Sequence, residues 1–180
     1  RRQRQMCIRD RVVATSPIHR KYKLGKSREQ IRNMAVKSVA MASDLCGEVQ
    51  FSAEDASRTE PEFLAEIVES VIDAGAAVIN IPDTVGFTMP EEYFRLISYL
   101  KSHVPNVDRI RLSVHCHDDM GMAVANSSNF TNCFSRVSRR TSTHWPFSMS
   151  RGPTSRRTGT PFISHWANSV SYTHLTLPTN

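Results

Sequence analysis

Apolar and polar positions along the chain alternate between two periods. Four short runs rich in β-branched residues read as strands: Val12–Ser16, Val49–Glu54, Ala77–Pro82 and Arg109–His117. Between them the apolar spacing lengthens to that of helices. The first helix is expected from Ser27, where Ser27 and Gln30 stand at capping-box spacing. Ile31, Met34, Ala35, Met41, Ala42 and Leu45 give it an apolar face, and Gly47 closes it. The second is expected from Thr59, with Pro61 in its first turn, Phe63, Leu64, Ile67, Val68, Val71 and Ile72 inward, and Gly75 as its stop. The third starts at Thr88 and buries Tyr93, Phe94, Ile97 and Leu100; a fourth opens after Asp119 and ends near Asn126. Strand starts at 12, 49, 77 and 109 repeat at the length of a βα unit, which predicts an α/β fold with a parallel sheet. An open doubly wound sheet and a (β/α)8 barrel both fit this pattern, although no GxGxxG or P-loop follows any strand.

Composition adds a boundary. Residues 12–127 carry a net charge of −4 and the remainder +10, and no acidic residue occurs from Ser128 to Asn180. Helix and strand patterning is expected to stop at the same point. A basic, Ser/Thr-rich tail of this kind can be an arm that binds nucleic acid. The reading favoured here is different: residues 1–11 and 170–180 look like translated sequencing-adapter read-through, and 128–169 like a frameshifted segment. Residues 12–127 are then the folded catalytic domain, with unstructured, non-native-looking ends. No apolar run approaches the roughly 20 residues of a membrane helix. The four cysteines form no CxxC pair, which leaves a reduced, cytoplasmic setting as the expectation.

The candidate chemistry lies where the strands end. Residues i and i+2 share a strand face, so Ser52 pairs with Glu54, Asn80 with Pro82 and Thr84, and His115 with His117. In a (β/α)8 barrel, catalytic groups sit at these C-terminal strand ends. Two imidazoles about 6–7 Å apart along one face can ligate one metal ion, or they can be satisfied strand-end histidines. Asp118 and Asp119 could accept from the imidazoles and fix their tautomers, or cap the following helix. Glu54 and Asp55 with Arg58 could be no more than a surface ion pair. Cys116 points to the opposite face and is expected in the core.

On these residues the chain resembles the 2-isopropylmalate synthase family, within the alpha-isopropylmalate/homocitrate synthases and their pyruvate-carboxyltransferase-type TIM barrel. The segments that carry the likeness are ATSPIH (14–19), FSAEDASRTEPEFL (51–64), NIPDTVGFTMPEEY (80–93) and SVHCHDDMGMAVANS (113–127). Homocitrate and citramalate synthases share the HxH pair and are the alternative within the family. Outside it, the rivals are a basic-tailed nucleic-acid-binding module and a fragment with no function of its own. The resemblance implies a partial barrel, roughly strands four to seven. It also implies the Claisen-type condensation of acetyl-CoA with 2-oxoisovalerate in leucine biosynthesis. It implies a divalent metal of the Mg, Mn or Zn class held by His115 and His117, and acid–base work by Glu54. His19, Ser52, Asn80 and Pro82 would line the substrate pocket, and the Thr84 hydroxyl would meet the substrate carboxylate. Asp118 stands where the family commonly has Asn. A homodimeric parent enzyme is implied, with neither nucleic acid nor membrane as partner. The family's first-strand metal-binding Asp and catalytic Arg are not in this sequence, so the fragment is expected to be inactive alone.

Overall fold

The computed structural model describes residues 10–137 and 172–178, and side chains within 10–130. Four parallel strands, β1 (Asp10–Ala14), β2 (Gln50–Glu54), β3 (Val78–Asp83) and β4 (Arg111–His117), lie side by side in chain order. Between successive strands run α1 (Arg28–Ser43), α2 (Pro61–Asp73) and α3 (Pro90–His103), and α4 (Ala123–Val137) follows β4. Phe51, Ala53, Ile79, Ile81, Leu112, Val114 and Cys116 join the inward faces of the helices in one buried cluster. The other sheet face carries Val12, Ser52, Asn80 and Ser113 in one register row. Val12, at the β1 edge, is 58% exposed, whereas Ser52, Asn80 and Ser113 are buried.

Most helix expectations hold. Ser27 Oγ accepts from Gln30 N (3.2 Å) and the Gln30 side chain accepts from Ser27 N (3.0 Å), a complete capping box. All six apolar residues expected inward on α2 are buried. α1 departs from its expected face. Its buried stripe is Ile31, Ala35, Val39 and Ala42, while Met34 and Met41 are exposed and Leu45 is 82% exposed. Small residues on this stripe let the helix lie close to the sheet, and the longer side chains are turned out to solvent. The helix also ends earlier, with Asp44 at its C-cap rather than Gly47. Thr59 and Thr88 do not start helices. Thr59 Oγ1 donates to Asp55 O (2.9 Å) and meets Thr15 Oγ1 (2.7 Å), and Thr88 Oγ1 donates to Asp83 Oδ1 (2.8 Å). Both threonines brace loops at the C-terminal strand ends.

The outer boundaries also shift. β1 begins at Asp10, two residues before the expected start, and Asp10 accepts from Gln50 Nε2 and Ser52 Oγ (both 2.9 Å). Helical patterning does not stop at 128, because α4 runs to Val137. Ala123, Asn126, Ser127 and Phe130 are buried at i, i+3, i+4 and i+7, and the two polar members hide the stripe from a hydrophobicity reading. Asn126 Nδ2 donates to Thr88 O (2.9 Å) and Ser127 Oγ to Ala123 O (2.8 Å), so both donors are paired in the core, while Asn126 Oδ1 is buried without a partner. Within the end expected to be unstructured, residues Tyr172–Pro178 form β5, antiparallel to β4. A strand edge left uncovered presents a row of backbone donors and acceptors, and the segment YTHLTLP pairs with those of β4. The remaining residues of 1–11, 128–169 and 170–180 lie outside the described residues. Among the described residues no helix is long and apolar enough to cross a membrane.

Candidate active site

The residues expected at the site lie on β2, β3 and β4 or in the loops that follow β1, β3 and β4. His19 rides on a single π-helical stretch (His19–Leu24) that follows β1 and ends at Gly25 in the left-handed region, φ 59°. Ser16 starts this turn, accepting from His19 N through its hydroxyl (3.4 Å) and from Arg20 N through its carbonyl (2.9 Å). Arg20 fixes the turn to the rest of the fold. Its guanidinium forks onto both Glu60 oxygens (2.9 and 2.7 Å), donates to Thr15 O (2.8 Å) and lies over the Phe63 ring. Arg28 adds a further bond to Glu60 (2.8 Å). Bonding to Arg20, with Arg28 beside it, lowers the Glu60 carboxyl from 4.5 to about 2.

Glu54 ends β2 with its carboxylate half-buried, taking both oxygens to Lys23 Nζ (2.7 and 2.8 Å). On the same face Ser52 is buried, donates to Asp10 Oδ1 and accepts from Asn80 Nδ2 (3.1 Å). Asn80 Oδ1 is buried without a hydrogen-bond partner, so an acceptor stands ready on the inner face. Pro82 lies in register with His115 and is buried. Thr84 follows the end of β3 and accepts from Asp55 N through its hydroxyl oxygen (2.9 Å). That leaves the hydroxyl hydrogen available for donation to a ligand.

Asp55 and Arg58 are not a surface pair. Asp55 is fully buried and receives Arg58 Nε at 2.7 Å, an interaction that raises the guanidinium pKa above its ordinary value. The next carboxylate is also buried. Asp83 accepts from Ser57 Oγ (2.9 Å), Thr88 Oγ1 (2.8 Å) and Thr88 N (3.2 Å), and so ties the loop after β2 to the loop after β3. Neither role shows in the sequence, since an Asp beside a Glu, or one opening an Asp-Thr turn, reads equally well as solvated. The only available signal was position, immediately after a buried parallel strand.

His115 and His117 lie on the inner face of β4, both half-buried, with ring centroids 5.0 Å apart and planes tilted by 44°. Two neutral imidazoles so placed suit two positions around a divalent ion. Among the described residues no group of three or more His, Cys, Asp or Glu could hold one, so the pair fits part of a ligand shell. Asp118 takes the capping alternative, accepting from Ala123 N (3.0 Å) at the start of α4. Asp119 approaches the loop after β3 at Gly86, φ +66°, where an added Cβ would stand 2.5 Å from Asp119 Oδ2 and 2.9 Å from the His117 carbonyl. Only glycine admits that approach, which sets the backbone at His117. Cys116 faces the helices, as expected, and burial pushes its thiol up to about 11.

A family model described as HMGL-like matches residues 9–137. The 2-isopropylmalate synthase of Bacillus pumilus (strain SAFR-032) is 61% identical over 115 residues, covering 64% of this chain and 22% of that protein. The 2-isopropylmalate synthase of Pyrococcus abyssi (strain GE5 / Orsay) is 55% identical over 115 residues, 64% of this chain and 24% of that protein. The chain therefore spans less than a quarter of the length of these curated relatives. Among solved structures, hydroxymethylglutaryl-CoA lyase from Pseudomonas aeruginosa superposes with a TM-score of 0.57 at 21% identity, over 67% of this chain and 41% of that one. That likeness concerns the fold, and it makes the four parallel strands and their helices a part of a TIM barrel. With the match running from the start of β1 to the end of α4, the chain belongs to the HMGL-like family.

Proposed function

We propose that residues 10–137 are a segment of the catalytic barrel of a 2-isopropylmalate synthase, which condenses acetyl-CoA with 2-oxoisovalerate and releases 2-isopropylmalate and CoA. The observation that carries this reading is the convergence of His19, Ser52, Glu54, Asn80, Pro82, Thr84, His115 and His117 on one end of the sheet, in a chain 61% identical to an enzyme of that name. His115 and His117 would hold a divalent metal of the Mg, Mn or Zn class. Such an ion, when bound, supplies Lewis acidity to a keto oxygen. The chain's own residues do the rest. The Thr84 hydroxyl, its oxygen occupied by Asp55 N–H, donates to the oxo-acid carboxylate. Asn80 and Ser52 form the polar floor, and Pro82 offers an apolar wall to the branched side chain. Glu54, restrained by Lys23, moves a proton at the substrate.

The described residues provide two imidazoles of the ligand shell and no third ligand, which supports an inactive fragment; its parent enzyme would be cytoplasmic and homodimeric. A closed (β/α)8 barrel continues beyond β4 with a parallel strand. β5 (Tyr172–Pro178) is antiparallel, which supports reading residues 170–180 as adapter-like sequence rather than barrel sequence. The test uses a full-length enzyme carrying residues 10–127 of this chain. Free CoA should appear from acetyl-CoA only when 2-oxoisovalerate is added. Preference for 2-oxoglutarate or pyruvate would move the assignment to a homocitrate or citramalate synthase.

A further inference from the structure

Asp55 is the sole non-glycine residue among those described with a left-handed backbone, φ 65° and ψ 38°. Aspartate enters that region more readily than most residues, but a non-glycine there is still strained. It is fully buried, and its backbone and carboxylate do different things. The backbone N–H points at Thr84 Oγ1 (2.9 Å). One carboxylate oxygen, Oδ1, is held by Arg58 Nε (2.7 Å). The other, Oδ2, is buried and has no hydrogen-bond partner. Facing it at 3.8 Å is His19 Nδ1, also buried and also without one.

Two buried polar atoms left unsatisfied are costly. A separation of 3.8 Å is too long for a hydrogen bond, and a water bridging it by two hops of about 2.8 Å would be bent well below the tetrahedral angle. A small rotation of the ring closes the gap directly and relieves both atoms. The rival acceptor is Glu54 Oε1 at 3.9 Å, but that oxygen already receives Lys23 at 2.7 Å. An ionised carboxylate only accepts, so the proton must sit on Nδ1.

We infer that Asp55 is a positioning residue: its carboxylate fixes the neutral His19 ring as the Nδ1–H tautomer, and its left-handed backbone orients the Thr84 hydroxyl. His19 then presents Nε2 as an acceptor lone pair. The ring is 22% exposed while its Nδ1 is buried, so that exposure lies on its other atoms. One strained residue thereby sets the donor at Thr84 and the acceptor at His19. The functional value of this arrangement rests on the proposed reading of those two as pocket residues; the tautomer itself does not.

The tautomer can be read without substrate, from nitrogen-detected proton correlation spectra of the ring-labelled 180-residue chain at about pH 9, where an ordinary imidazole is neutral. His19 signals are assigned by their loss in His19→Gln. The wild type should show a protonated Nδ1 and a pyridine-type Nε2. In Asp55→Asn, Arg58 Nε claims the amide oxygen, so the amide NH2 turns to Nδ1, which must now accept; the two nitrogen signals should exchange places. Asp55→Gly suits the left-handed backbone, removes the carboxylate and should also lose the Nδ1–H form. An Nε2–H or doubly protonated ring in the wild type overturns the inference, and so does a tautomer unchanged in both folded variants. A parent enzyme that prefers another oxo acid would overturn the proposed reaction and leave this result standing.

Discussion

At the scale of single residues, β4 separates chemistry from packing with its two-residue period. His115 and His117 face the inner side and Cys116 the helices, so three consecutive residues should respond differently to truncation. Substituting either histidine by alanine removes a ligand. Binding of Zn²⁺ or Ni²⁺ to the chain, followed by calorimetry, should weaken by at least about tenfold to a hundredfold. Cys116→Ala should leave metal affinity unchanged and cost about 1 kcal/mol of stability, the usual scale for trimming a buried side chain. His103 serves as the control, since it stacks on Tyr99 at the end of α3, away from the strand ends. Equal losses at Cys116 and the histidines would mean that the strand face has been misassigned.

At the scale of elements, the turn carrying His19 is fastened to the start of α2 by the Arg20–Glu60–Arg28 cluster. The Glu60 carboxyl is lowered to about 2 from 4.5, so folding favours its charged form. The stabilisation is therefore complete above about pH 4.5 and is lost as the pH falls through about 2. The carboxylate is 30% exposed, and solvent screening reduces the contribution to about 1–2 kcal/mol. Urea midpoints measured across this window should fall more steeply for the wild type than for Glu60→Gln. The variant should start lower at neutral pH and converge on the wild type in acid. Parallel curves would show that the cluster contributes no pH-dependent stability.

At the scale of the whole molecule, the sheet of the described residues ends at β1 on one side, and β5 covers β4 on the other. Seven register pairs join Arg111–His117 to Tyr172–Pro178. Removing residues 172–178 exposes the β4 edge, and edge-to-edge association is the expected consequence. Light scattering at matched concentrations should show larger species for the truncated chain. An unchanged monomer would mean that β5 does not protect the edge in solution.

The α/β class, the order of four strands, the capping box at Ser27 and the inward face of α2 were all legible in the sequence, because local periodicity and turn chemistry determine them. So was the division of β4 into His115 and His117 on one face and Cys116 on the other. Three features were not. α1 buries Val39 rather than Met34, because closeness to the sheet, and not hydrophobicity alone, chose its stripe. α4 continues to Val137 because Asn126 and Ser127 find hydrogen bonds in the core, which no hydropathy pattern can foresee. Asp55 and Asp83 became buried anchors only when consecutive βα loops met over the strand ends. Their partners, Thr84 and His19 for the one and Ser57 and Thr88 for the other, include residues 26–36 positions away. Sequence by itself determined which residues stand at the strand ends. Tertiary structure alone decided which of them touch, since parallel strands bring distant loops together at one edge of the sheet, and desolvation there makes each unpaired polar atom costly.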